Sequence, residues 1–220
     1  MGRFHDYRFP NESDAYRAAR DDLLAAETEL RRQVERVAAQ RRALPAGGSV
    51  AEDYHFAGAD GAVAMSELFV APRDTLVIYS FMFPPGKSPC PMCTSMLDGL
   101  NGNAPQVMQR VNLAVVARAT IAQLTAFAAS RGWHNLPLYS TGPGSYSRDY
   151  LGENAQGTQM PMLNVFSRHD GAIVHRYGTE LMVADAEPGQ DPRHVDPVWP
   201  LWNLLDFTPD GRGEGYPQVL

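Results

Sequence analysis

Lysine is almost missing from this chain: Lys87 is the only one in 220 residues, the formal net charge is −6, and no basic cluster follows an aromatic pattern. That removes the electrostatic footprint of a nucleic-acid binder. No apolar run approaches the ~18 residues a membrane-spanning helix needs. The amino terminus, Met1-Gly2-Arg3-Phe4-His5-Asp6-Tyr7-Arg8, lacks the apolar stretch of a secretory signal, and Asp6 stands where a myristoylation signal requires Ser or Thr. The expectation is a soluble cytoplasmic protein with neither nucleic acid nor membrane as a partner. Cysteine is scarce, with two residues in the chain, and no second cysteine pair or close histidine pair accompanies them. A four-ligand structural zinc site therefore has too few donors. His55, His134, His169, His175 and His194 are scattered, so zinc would need one of them brought to the cysteines by the fold.

What is present centres on those cysteines. Cys90-Pro91-Met92-Cys93 follows Thr75-Leu76-Val77-Ile78-Tyr79-Ser80-Phe81-Met82-Phe83, a β-branched, aromatic and aliphatic run that reads as a strand buried on both faces and stopped by Pro84, Pro85 and Gly86. After the pair, Met96, Leu97, Leu100, Val107, Met108 and Val111 recur near helical spacing. The cysteines thus lie at a strand-to-helix junction. Unpaired backbone N–H groups and the helix dipole favour negative charge there and lower a thiol's pKa toward neutrality. Cys90 is the expected thiolate and Cys93 its resolving partner.

With 44% apolar residues the chain can bury one substantial core. Residues 14–43 contain no Gly or Pro and are rich in Ala, Arg, Glu and Leu, which predicts one long helix. Leu23, Ala26, Leu30, Val34, Val37 and Leu44 form a thin apolar stripe on it, suited to packing on its own domain or to a homodimer seam. Leu44-Pro45-Ala46-Gly47-Gly48 ends the helix, and Gly58-Ala59-Asp60-Gly61 marks a turn between short strands. Residues 111–117 predict a second buried strand, Ile121, Leu124, Phe127 and Ala128 a helical face, and 136–139 a short third strand, which together imply a parallel βαβ core. Met162–Phe166 and Ala172–Tyr177, joined through His169-Asp170-Gly171, read as a hairpin, and 198–207 as a terminal core helix. The predicted organisation is a helical arm over 1–48, an α/β domain over 49–209, and a tail over 210–220.

A βαβ core with Cys-x-x-Cys at its first strand-to-helix junction, then a hairpin and a final helix, resembles the thioredoxin-like fold over residues 53–207, a central mixed sheet flanked by helices. The segment from Phe56 to Phe69 resembles the opening hairpin of peroxiredoxin-like members. The string Cys90-Pro91-Met92-Cys93-Thr94-Ser95-Met96-Leu97-Asp98-Gly99, with Tyr146-Ser147-Arg148-Asp149-Tyr150 and Gly189-Gln190-Asp191-Pro192-Arg193, resembles a bacterial thioredoxin-like family of unknown function. The resemblance implies a cis-proline facing the cysteines, for which Pro161 is the candidate, with Met160 beside it. Two departures stand out. Thioredoxins carry Trp before the first cysteine and Gly-Pro between the two, where this chain has Pro89 and Pro91-Met92, and Lys87 stands where peroxiredoxins place a threonine.

Three chemistries follow from the pair. Thiol–disulfide exchange on a small-molecule or protein disulfide needs no cofactor. Alternatively, Cu(I) held by Cys90 and Cys93, with Met92 and Met160 as thioether ligands and Met82, Met96 and Met162 nearby, makes a copper-dependent oxygenase of an aromatic small molecule. The commoner use of methionine is to fill irregular core gaps. A copper carrier or redox-linked binding protein is the third. Tyr146, Arg148, Asp149 and Tyr150 lie on the long loop before Pro161, which the topology should carry over the cysteine face; they are candidate substrate-binding residues or a salt-bridged loop anchor. Asp98 and Asn101 are candidates to support the cysteines from the helix or to sit on its surface.

Overall fold

The computed structural model describes residues 3–182, 184–185 and 196–211. The string 189–193, His194 and the tail beyond Gly211 lie outside the described residues. Two units divide the chain between Pro45 and Ala46. In the first, helix α1 spans Asp14–Ala43 as its composition predicts, with Ser13 at the N-cap accepting from the Tyr16 N–H at 3.1 Å. Ion pairs stitch its polar side, Arg36 to Glu29 at 2.6 Å and Arg17 to Asp21 at 3.2 Å, and Leu23, Leu30 and Val34 are exposed. The second unit begins earlier than residue 49 because the backbone is already tied to the sheet at Gly47, whose N–H donates to the His175 carbonyl at 2.9 Å. A Cβ on Gly47 would sit 2.6 Å from that carbonyl oxygen, so this approach requires glycine.

The second unit is a seven-stranded sheet. Its elements in chain order are β1 (His55–Gly58), β2 (Gly61–Ala64), β3 (Thr75–Phe81), α2 (Pro91–Val107), β4 (Asn112–Ala117), α3 (Ile121–Arg131), β5 (Leu138–Ser140), α4 (Tyr146–Asp149), β6 (Met162–His169), β7 (Ala172–Gly178) and α5 (Pro200–Leu205). The strand order is β2-β1-β5-β4-β3-β6-β7. β3, β4 and β5 run parallel, as the βαβ pattern implies, and β6 and β7 return antiparallel to close one side. A parallel β–α–β core with Cys-x-x-Cys after its central strand and an antiparallel hairpin beside it is the thioredoxin-like fold. No helix among the described residues is long and apolar enough to cross a membrane.

β3 is buried on both faces, and its period of two sends alternate residues to two separate cores. Tyr79 and Phe81, with Leu113, Val115 and Ala117 of β4, face α2 and α3 and pack on Met96, Leu97, Leu124, Trp133 and Trp199. Leu76 and Ile78, with Ala114 and Val116, face the other way onto Tyr54, Phe56, Met65, Tyr146 and Phe166. Each fully buried Leu, Ile or Phe contributes roughly 1.5–3 kcal/mol.

The two helices on the first face are joined by polar contacts. Asp98 of α2 accepts from Arg131 at 2.6 Å and from the Trp133 indole N–H at 2.8 Å. Asn101 accepts the Asn135 backbone N–H at 3.0 Å. Both residues therefore brace α2 against the end of α3 and do not support the cysteines. Replacing Asp98 with Ala strands the buried Trp133 N–H, and we expect a loss of about 2 kcal/mol in urea unfolding with the slope unchanged; a variant as stable as wild type would show that the brace is idle.

Candidate active site

Cys90 is the N-cap of α2, and Pro91 occupies the first helical position, where the missing N–H has no partner to lose. The Cys90 sulfur accepts from the Cys93 backbone N–H at 3.5 Å, and the Cys90 carbonyl accepts from both the N–H and the hydroxyl of Thr94, at 3.0 and 2.9 Å. The Cys90 N–H donates to the Met82 carbonyl at 2.9 Å, which folds the Pro84–Pro89 loop back onto the end of β3. Cys90 is half-buried and Cys93 is 3% exposed, and both are free thiols.

The two thiols act on one another in opposite directions. The neighbouring Cys93 thiol and the backbone N–H groups of Cys93 and Met92 bring the Cys90 pKa down to about 6 against the opposing cost of burial. The Cys93 thiol is pushed well up, first by the neighbouring Cys90, then by its own burial. Tyr79, buried in the same core cluster, and the Met82 backbone amide act on Cys93 in the lowering direction. The pair thus presents one thiolate near neutral pH and one protonated thiol beneath it.

Pro161 precedes β6, whose register pairs Met162 with Ser80. The β3–β6 ladder ends at that pair, and the Met160 N–H donates instead to the Gly152 carbonyl at 3.0 Å. The bond before Pro161 is trans, which corrects the expectation drawn from resemblance; among the described residues the cis bond is Ala71–Pro72. The methionines divide. Met96 and Met162 are each 1% exposed and fill the core, with the Met162 thioether accepting from the Thr179 hydroxyl at 3.2 Å. Met82 and Met92 pack against the same cluster as Cys90 without being fully buried.

The Tyr146–Tyr150 string does not pass over the cysteine face. Tyr146 is buried in the opposite core with ring contacts to Tyr54, Phe56 and Tyr150, and Asp149 accepts from the Tyr54 hydroxyl at 2.8 Å. Arg148 is exposed. Aromatic packing holds this loop to the reverse of the sheet, and Gly152 lets it cross close to Ser80, where a Cβ would stand 2.8 Å from the hydroxyl. Asp149 and Tyr150 instead line a cavity of about 230 Å³ with Met162, Asn164, His175 and Glu180, and neither cysteine borders it. His175 bonds Asn164 at 2.9 Å, His55, His134 and His169 are exposed, and no group of three or more His, Cys, Asp or Glu among the described residues could hold a metal ion. The zinc reading therefore gains no further ligand there.

A family model described as a bacterial protein of unknown function, DUF899, matches residues 7–219. Among curated protein sequences none matches the chain. Solved structures similar to it include a cysteine-to-serine mutant of peroxiredoxin Q from Xanthomonas campestris, at 17% identity over 72% of this chain and 96% of that one with a TM-score of 0.49. A peroxiredoxin-like protein from Aquifex aeolicus shares 16% identity over 61% of this chain and 75% of its own, TM-score 0.43. Thioredoxin peroxidase I of Plasmodium yoelii shares 16% over 79% and 97%, TM-score 0.45.

The site makes a direct prediction for alkylation. In the reduced native protein, iodoacetamide should label Cys90 with a rate that rises through a midpoint near pH 6 and leave Cys93 unlabelled. Cys93→Ala removes the largest lowering contact, so the midpoint should move up; a Cys90 that titrates like an ordinary thiol would contradict the geometry.

Proposed function

The chain belongs to the DUF899 family of bacterial proteins, and from its cysteine geometry we propose that it is a thioredoxin-fold oxidoreductase that works by thiol–disulfide exchange through Cys90 and Cys93. The observation that carries this reading is the placement of the pair: Cys90 is the half-buried N-cap of α2, its sulfur accepts the Cys93 N–H at 3.5 Å, and Cys93 lies buried beside it, both as free thiols. The Cys90 thiolate attacks one sulfur of a substrate disulfide, forming a mixed disulfide and expelling the other half as a thiolate that takes a proton from solvent. Cys93 then gives its proton to solvent and attacks the Cys90 sulfur. The Cys90–Cys93 disulfide forms, and the second half of the substrate leaves as a thiolate. Two electrons pass from the protein to the substrate, and an external dithiol must return them for another turnover. Such a cycle belongs to a reducing compartment, which agrees with a cytoplasmic setting.

Met82, whose carbonyl accepts from the Cys90 N–H, and Met92, inside the Cys-x-x-Cys turn, support a second reading. Two thiolates and two thioethers form a soft donor set that suits Cu(I) over zinc or iron. Copper held there would supply dioxygen chemistry toward an aromatic small molecule, or would itself be the cargo of a carrier.

Cys90→Ser should abolish disulfide reduction, and Cys93→Ser should accumulate a stable mixed disulfide with substrate, visible as a mass increase that wild type does not retain. Turnover surviving in Cys90→Ser would sink the exchange mechanism. Metal analysis of protein purified without chelator separates the two readings: near-stoichiometric copper, lost in Met92→Leu, would favour the second, and metal-free protein that cycles both thiols the first.

A further inference from the structure

The cavity of about 230 Å³ that neither cysteine borders is built by an irregularity in the β6–β7 hairpin. Val165 pairs with Tyr177 but Phe166 with His175, so β7 carries Arg176 as an extra, bulged residue. The bulge brings both His175 and Gly178 to the sheet face that carries Asn164. Asn164 is 3% exposed and oriented by two bonds: its Nδ2 donates to the Tyr150 carbonyl at 3.0 Å, and its Oδ1 lies 2.9 Å from His175 Nε2, which therefore carries the proton. Gly178 keeps the space beside this pair open, since a Cβ there would stand 3.1 Å from Asn164 Oδ1 and 3.6 Å from the His175 ring. The His175 N–H donates to the Gly48 carbonyl at 3.0 Å, which holds Gly48 and Ser49 against β7 as a further wall.

The charge on the walls is of one sign. Asp149 and Glu180 are exposed carboxylates that line the cavity, and among the described residues no arginine or lysine lines it. Burial holds the His175 imidazole below its ordinary value against the pull of Glu180, so the ring adds no positive charge at neutral pH. No group of three or more His, Cys, Asp or Glu among the described residues could hold a metal ion, which leaves an organic cation as the complement. We propose that this cavity is a binding site, separate from the cysteine pair, for a small primary amine: its ammonium group meets the Asp149 and Glu180 carboxylates, and its apolar body packs on Tyr150 and Met162. An ammonium group supplies donors only, which matches walls that offer carboxylate oxygens. Asp149 already accepts from the Tyr54 hydroxyl at 2.8 Å, so its carboxylate is oriented before a ligand arrives. The volume falls below the about 300 Å³ at which pockets for larger ligands begin, which limits the apolar body to a single ring.

The His175 ring reports on this site by proton NMR of the full-length protein, its Cε1–H signal being the one lost in His175→Gln. Benzylamine, 2-phenylethylamine and cyclohexylamine are titrated in turn at neutral pH, with 2-phenylethanol and phenylacetate as the neutral and anionic counterparts. At least one amine should move the His175 signal to saturation, 2-phenylethanol should bind more weakly than 2-phenylethylamine, and phenylacetate should leave the signal in place. Asp149→Asn keeps an acceptor for the Tyr54 hydroxyl and removes the charge; it and Glu180→Gln should each weaken the amine about tenfold, the scale of one charge-assisted hydrogen bond. A His175 signal that none of the three amines saturates would overturn the proposal. So would 2-phenylethanol or phenylacetate binding as tightly as 2-phenylethylamine, or an amine affinity unchanged in the folded double variant Asp149→Asn, Glu180→Gln.

Discussion

At the start of α2 a sulfur stands where Ser, Thr, Asp or Asn ordinarily places an oxygen, and it accepts the Cys93 amide in their stead. Much of the surrounding structure exists to hold that atom there. The Cys90 N–H is tied to the Met82 carbonyl, its own carbonyl to Thr94, and Pro91 gives up the one N–H that would point away from the cap. A helix N-terminus tolerates a thiolate better than a thiol because the donors are already oriented and need no reorganisation when charge appears. The reactive group and the helix cap are the same atom.

That arrangement needs a rigid floor, and β3 supplies it. Its residues are divided between two cores, so neither α2 nor the reverse-face loop can shift without disturbing the strand between them. Asp98 fixes the far side of α2 to Arg131 and Trp133, and Trp199 fixes α5 to the helix by donating to Ser95 at 3.2 Å. The cysteine end is left partly open while the rest of the helix is clamped. Half-burial of Cys90 over full burial of Cys93 follows from where the clamps lie.

Much of this was legible in the residues. Strands β3 and β4 are nearly unbroken apolar runs, the pair sits between a strand pattern and a helical one, and α1 ends where its composition changes. Thr120 and Gln123 could also have announced the start of α3, since they form a reciprocal cap. The loop over 141–160 was different. It is polar, and polarity says nothing of which sheet face receives it; three-dimensional packing of Tyr146 among Tyr54, Phe56 and Phe166 decides that. The cis expectation at Pro161 came from resemblance and not from the residues beside it, and the local backbone chose otherwise. Strand alternation puts Tyr79 on the α2 side, and the assembled fold buries it in the same core cluster as Cys93.

A thiolate that caps a helix has one more consequence. The free energy by which α2 favours the reduced, ionised Cys90 is also free energy by which reduced Cys90 favours α2. Closing the disulfide discharges the cap, so electron transfer and local helix stability are linked functions of one another. The redox poise of the surrounding solution then acts on this fold much as a ligand concentration does, setting how firmly the first turn of its central helix is wound.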